Sequence, residues 1–89
     1  MGALVRVISG AAYKFDWPDA CALASHDLFV ANGKGNSVTE LDATTGALVW
    51  VISDTAYKFN SPDALASSGG HLFVANGFGR SVTELLVTT

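Results

Sequence analysis

The sequence predicts an all-β fold made of two tandem copies of one four-stranded unit. Three observations carry that expectation. After Met1 the chain is a 44-residue unit written twice, residues 2–45 and 46–89, with 29 of the 44 aligned positions identical. No stretch places apolar residues at helical spacing over about ten or more positions. Short runs of branched and aromatic residues instead alternate with Gly, Pro, Asn and Asp, the punctuation of strands joined by tight turns.

Residues 3–9, with Leu4, Val5, Arg6, Val7 and Ile8, read as the first strand. Their copy, residues 47–53, carries Trp50 in place of Arg6. A longer connection follows, holding Tyr13, Lys14 and Phe15, and it ends at Pro18; the copy holds Tyr57, Lys58 and Phe59 and ends at Pro62. Proline fixes φ and lacks a donor, which suits the residue just ahead of a strand. Residues 20–24 and 64–66 are expected as small-residue strands, with turns at Ser25, His26 and Asp27 and at Ser67, Ser68, Gly69 and Gly70. Residues 28–31 and 71–75 form the next strands, and Asn32-Gly33 and Asn76-Gly77 are placed to supply a positive-φ reversal. The last strands cover residues 37–41 and 81–86. A period of roughly 40–50 residues holding four short strands is the signature of a propeller blade.

From these residues the chain resembles the NHL and YVTN families of β-propeller repeats. The resemblance rests on Phe59, Asn60, Ser61, Pro62, Asp63, Ala64, then Leu72, Phe73, Val74, Ala75, Asn76, then Ser81, Val82, Thr83, Glu84, Leu85. The first copy matches with Phe15, Asp16, Trp17, Pro18, Asp19, Ala20 and with Leu28, Phe29, Val30, Ala31, Asn32. It departs at the end of the second copy, where Leu86 and Val87 replace the turn-forming Asp42 and Ala43. The resemblance implies that the strand after the proline is innermost and the strand after the Thr-Gly turn outermost. The expected fold is therefore two circularly permuted four-stranded blades that complete a multi-chain closed β-propeller. Leu4, Val5, Arg6, Val7 and Ile8 of one chain would lie beside Ser81, Val82, Thr83, Glu84 and Leu85 of the next. Propellers hold about four to eight blades, so a homotrimer of six blades, the usual NHL count, is favoured and a tetramer is next. The unit boundaries suit an excised or engineered fragment as well as a natural short gene.

Composition narrows the partners. Only 15% of the residues are charged while 49% are hydrophobic, little charge for a small chain with a large surface. The expected cover is another copy. A net charge of -3 with five scattered basic residues gives no track for a phosphate backbone, so nucleic acid is not expected. The longest apolar run, residues 47–52, is too short to span a bilayer. No charged region precedes the first apolar stretch, so no signal peptide is read and the cytoplasm is the default.

By analogy with the resembled fold, the long connection and the Asn-Gly-x-Gly loop share one face and could line a channel mouth. The candidate lining residues are Tyr13, Lys14, Trp17, Asp19, Asn32 and Lys34, with Tyr57, Lys58, Asp63, Asn76 and Arg80 as counterparts. Ring symmetry would gather Asp19 and Asp63 near a cation, but solvated or lysine-paired carboxylates are the plainer reading, and no metal or cofactor is expected. Glu40 and Glu84 are read as a repeated structural ion pair, with Lys14 or Lys58 of an adjacent blade as candidate partners, or as exposed strand charges. Cys21 is expected to be a small core residue, and His26 and His71 to sit in turns. No Ser-His-Asp or Cys-His set appears, so no catalysis is expected. The alternative function is carbohydrate binding. Against it, Trp17 aligns with Ser61 and Trp50 with Arg6, so neither aromatic platform recurs.

Overall fold

A computed structural model describes residues 2–87. The chain is all-β, with two antiparallel sheets of four and three strands. The first sheet contains β1 (Pro18–Ala24), β2 (Asp27–Asn32), β3 (Ser37–Asp42) and β4 (Leu48–Ile52) in sequential order. The second contains β5 (Pro62–Ser68), β6 (His71–Asn76) and β7 (Ser81–Leu86). Single 3-10 turns at Ala11–Tyr13 and Thr55–Tyr57 lie in the long connections. Among the described residues no helix is long and apolar enough to cross a membrane.

The strands fall where the apolar runs predict, with physical differences at their ends. Pro18 and Pro62 are the first strand residues, where a missing donor is tolerated. The register then skips Asp19 and Asp63, each the extra residue of a bulge. Ser67 and Ser68 belong to β5, so that turn shrinks to Gly69 and Gly70, both at positive φ. His71 opens β6 instead of sitting in a turn. The Asn-Gly reversals take their positive φ at Asn36 (54°) and Arg80 (54°), not at the Asn-Gly step. Gly33 and Gly77 sit against the Asp19 and Asp63 carboxylates, which would have to move aside for a Cβ there.

One expected strand is absent. Residues 3–9 form no ladder and leave Leu4 (82%), Val5 (81%) and Val7 (79%) exposed. Their sequence copy is β4, which pairs with β3. A strand needs a hydrogen-bonding neighbour, and residues 3–9 have none among the described residues.

The core lies between the two sheets. Opposed residues on neighbouring strands share a face, so Ala22, Phe29, Val38 and Ile52 form one face of the first sheet. That face packs on Leu65, Leu72, Val74 and Leu85 of the second sheet, with Tyr57 and Phe59 from the connection. The same positions on the outer side of the second sheet stay open: Val38 is fully buried while its copy Val82 is 64% exposed. Conversely, Leu72 and Val74 are buried while their copies Leu28 and Val30 are half-buried. Each unit thus has two different apolar faces, and only one of each kind is matched within the chain.

Candidate functional site

The loop face is assembled by two buried asparagines. Asn32 donates to Ser37 Oγ (3.1 Å) and Thr39 Oγ1 (2.9 Å) and accepts from the Asp16 amide (3.2 Å). Thr39 Oγ1 then donates to the Tyr13 carbonyl at 2.7 Å. Asn76 repeats the arrangement with Ser81, Thr83 and the Asn60 amide, and Thr83 donates to the Tyr57 carbonyl at 2.7 Å. Buried polar groups must be partnered, and this network spends both asparagines on pinning the long connection to the strands. Asn32 and Asn76 therefore lie inside the fold and do not line its loop face.

The connection and the Asn-Gly loop do meet. Gly33 N donates to the Trp17 carbonyl (3.0 Å) and Lys34 N to the Asp16 carbonyl (3.3 Å). Tyr13 stacks on Phe15 with centroids 5.3 Å apart and its hydroxyl donates to the Gly46 carbonyl at 2.8 Å. Tyr57 stacks on Phe59 at 5.7 Å. Lys14 and Lys58 are exposed at left-handed φ, closing their 3-10 turns. Arg80 and Asp63 are exposed.

Three of the candidate residues converge at the junction of the units. Trp17, Asp19 and Lys34 line an open cleft of about 460 Å³ with Asn36, Asn60, Ser61 and Phe78. The Asn36 Oδ1 accepts from the Ser61 amide at 2.8 Å, tying the two units together beneath it. Phe78 is missed by sequence reasoning because its copy is Lys34 and nothing marks an exposed loop aromatic as functional. Trp17 (67% exposed) and Phe78 (82% exposed) come from non-recurring positions, yet packing brings them to one cleft. The missing recurrence of tryptophan thus does not exclude an aromatic site, since each chain builds one from two units. Trp17 also sits at φ 61°, costly for a bulky residue. Ser61 shares that conformation at φ 53°, so the backbone shape belongs to the fold and only the choice of Trp is unexplained by it.

Other expectations are corrected. Cys21 is exposed on the open face of the first sheet, because that face has no second sheet against it. Among the described residues neither Lys14 nor Lys58 forms an ion pair with Glu40 or Glu84. Glu84 lies 2.9 Å from His71 Nδ1. That nitrogen has no hydrogen bond of acceptable geometry, so the contact acts through charge and only when the imidazole is protonated. Glu40 meets Asp27, the counterpart of His71. Among the described residues no group of three or more His, Cys, Asp or Glu side chains is arranged to hold a metal ion.

Burial, followed by the hydrogen bond and repulsion from Asp27, pushes the Glu40 carboxyl up from 4.5 to about 7. Between those values the folded chain holds a proton that the unfolded chain has released. Stability therefore falls as pH rises through that window. Glu40→Gln is expected to raise Tm by roughly 3–5 °C at pH 8, damped by partial exposure, and to leave it unchanged at pH 4. A scanning calorimetry series that finds no pH dependence in the difference would count against the paired carboxyls.

Compared with models of known families and with curated proteins, the chain matches none.

Proposed function

We propose that this chain is a self-assembling unit of a closed β-propeller and serves as a scaffold or binding module without catalysis of its own. One observation carries the reading: among the described residues the second sheet has three strands and an open β7 edge, while residues 3–9, the copy of β4, are unpaired. The fourth strand of that sheet is supplied by residues 3–9 of a second copy. The two unmatched faces support the same arrangement. The outer face of the second sheet (Phe73, Val82) repeats a face that is buried within the chain, and the open face of the first sheet (Cys21, Leu28, Val30) repeats its partner. Faces of two complementary kinds give head-to-tail contacts, which end in a ring when the rotation closes. The repeat length and the NHL-like residues make the units blades, and a trimer of six blades is favoured over a tetramer of eight within the ordinary range of about four to eight.

Hydrogen exchange tests the strand completion. In the assembled protein the amides of residues 4–8 that face β7 should exchange as slowly as those of the matching β4 residues that face β3. Exchange at the rate of an unstructured peptide would overturn it.

A second reading, carbohydrate binding, is favoured by the Trp17–Phe78 cleft, where an aromatic wall stands beside Asp19, Asn60 and Lys34. Apolar sugar faces stack on such rings while hydroxyls bond to the polar rim. Glycan-array binding lost in Trp17→Ala would support it. Equal binding by that variant would remove this cleft as the site.

A further inference from the structure

The two units differ in concert around one shared carboxylate. In the first, Glu40 is flanked by Asp27 and lies opposite Trp50 on β4. An indole and not a cation is opposite it among the described residues, and burial pushes that carboxyl up. In the second, Glu84 has His71 where Glu40 has Asp27. On its other side the β7 edge is open.

The register of β3 with β4 supplies the missing neighbour. Val38 pairs with Ile52, Thr39 with Val51, Glu40 with Trp50 and Leu41 with Leu48. Shifted by one unit of 44 residues, this sets Val82 opposite Ile8, Thr83 opposite Val7, Glu84 opposite Arg6 and Leu85 opposite Leu4. The position that is Trp50 beside two carboxyl side chains is therefore Arg6 beside a carboxylate and a histidine. Within one chain Arg6 is exposed and donates to the Thr44 carbonyl at 3.4 Å.

Resting on the strand completion above, we propose that Arg6 of one copy pairs with Glu84 of the next, alongside His71, and that this pair fixes register and head-to-tail order at the subunit junction. A slip of one residue turns Arg6 to the other face, and a slip of two places an aliphatic residue over Glu84. An exchanged β4 would bring Trp50 and leave the carboxylate with no arginine opposite it. The pair thus makes residues 3–9 the preferred occupant of an edge that a β4 would otherwise fit equally well.

The test is charge reversal, read as the self-association constant by sedimentation at low salt. Arg6→Glu and Glu84→Arg should each weaken assembly by about tenfold or more, and the combined variant should return to within about threefold of the parent. Because Arg6 is exposed in the single chain, its reversal leaves folding intact. Salt offers a second measurement on the unaltered protein. Between about 50 and 500 mM NaCl its association should weaken several-fold, and the Arg6→Leu, Glu84→Leu variant should lose most of that dependence. Single reversals that assemble normally, or a combined variant no better than either, would overturn the pair while leaving strand completion standing. A parent chain that is monomeric at all concentrations would overturn both.

Discussion

Asn32→Ala is expected to lower the unfolding free energy by about 3 kcal/mol, enough to leave a small domain partly unfolded at room temperature. The side chain is wholly buried and serves four groups at once: Ser37, Thr39, the Asp16 amide and, through Thr39, the Tyr13 carbonyl. Removing it leaves a buried hydroxyl and a backbone amide without their side-chain partner. Asn32→Asp should fail similarly, because a carboxylate cannot donate to either hydroxyl. Asn76→Ala should cost less. Its bond to Ser81 Oγ is 3.3 Å against 3.1 Å for the Ser37 bond, and Ser81 is exposed where Ser37 is buried. Urea titration followed by tryptophan fluorescence measures all three. A loss below ~1 kcal/mol for Asn32→Ala would mean the network is not what holds the connection down.

Deleting residues 2–9 should abolish any discrete oligomer while leaving the seven strands folded. Those residues form no ladder within the chain, so far-UV circular dichroism should retain its sheet signal. Between copies they would contribute four opposed side-chain pairs and a set of backbone hydrogen bonds. At roughly 0.2–1 kcal/mol for each pair and about 1 kcal/mol for each bond, the loss exceeds a hundredfold in association. The open apolar faces around Val82 and Leu86 would remain, so some disordered clustering is compatible with the account. An unchanged oligomer of the parent size is not. Mixing the two single reversals adds a count of subunits: oppositely charged junctions can alternate around an even ring, whereas an odd ring keeps one like-charged junction.

The strands were legible because punctuation and branched runs are local properties, and they recur in both copies. Residues 3–9 show the limit of that signal. Their composition is that of a strand, but a ladder is a property of two segments, and the second one is not in the described chain. Asn32 was misread for a related reason. Asn-Gly reads as an exposed turn, and only the return of the connection past Asp16 and Tyr13 buries it. The alignment of Cys21 with Leu65 points to the core, but the Leu65 face is covered by the other sheet whereas the Cys21 face is open. The cleft between Trp17 and Phe78 joins positions where the units differ, and comparing aligned positions could not connect them. The shared glutamates carried a usable clue: Asp27 against His71, and Trp50 against Arg6, change the charge around one retained carboxylate. That clue becomes readable once the register is known.

Native mass spectrometry of the intact protein, with light scattering to confirm mass in solution, tests the central claim most directly. Strand completion around a ring predicts one closed species, a trimer in the favoured form, persisting on dilution. A monomer, or an open-ended series of sizes, would contradict it.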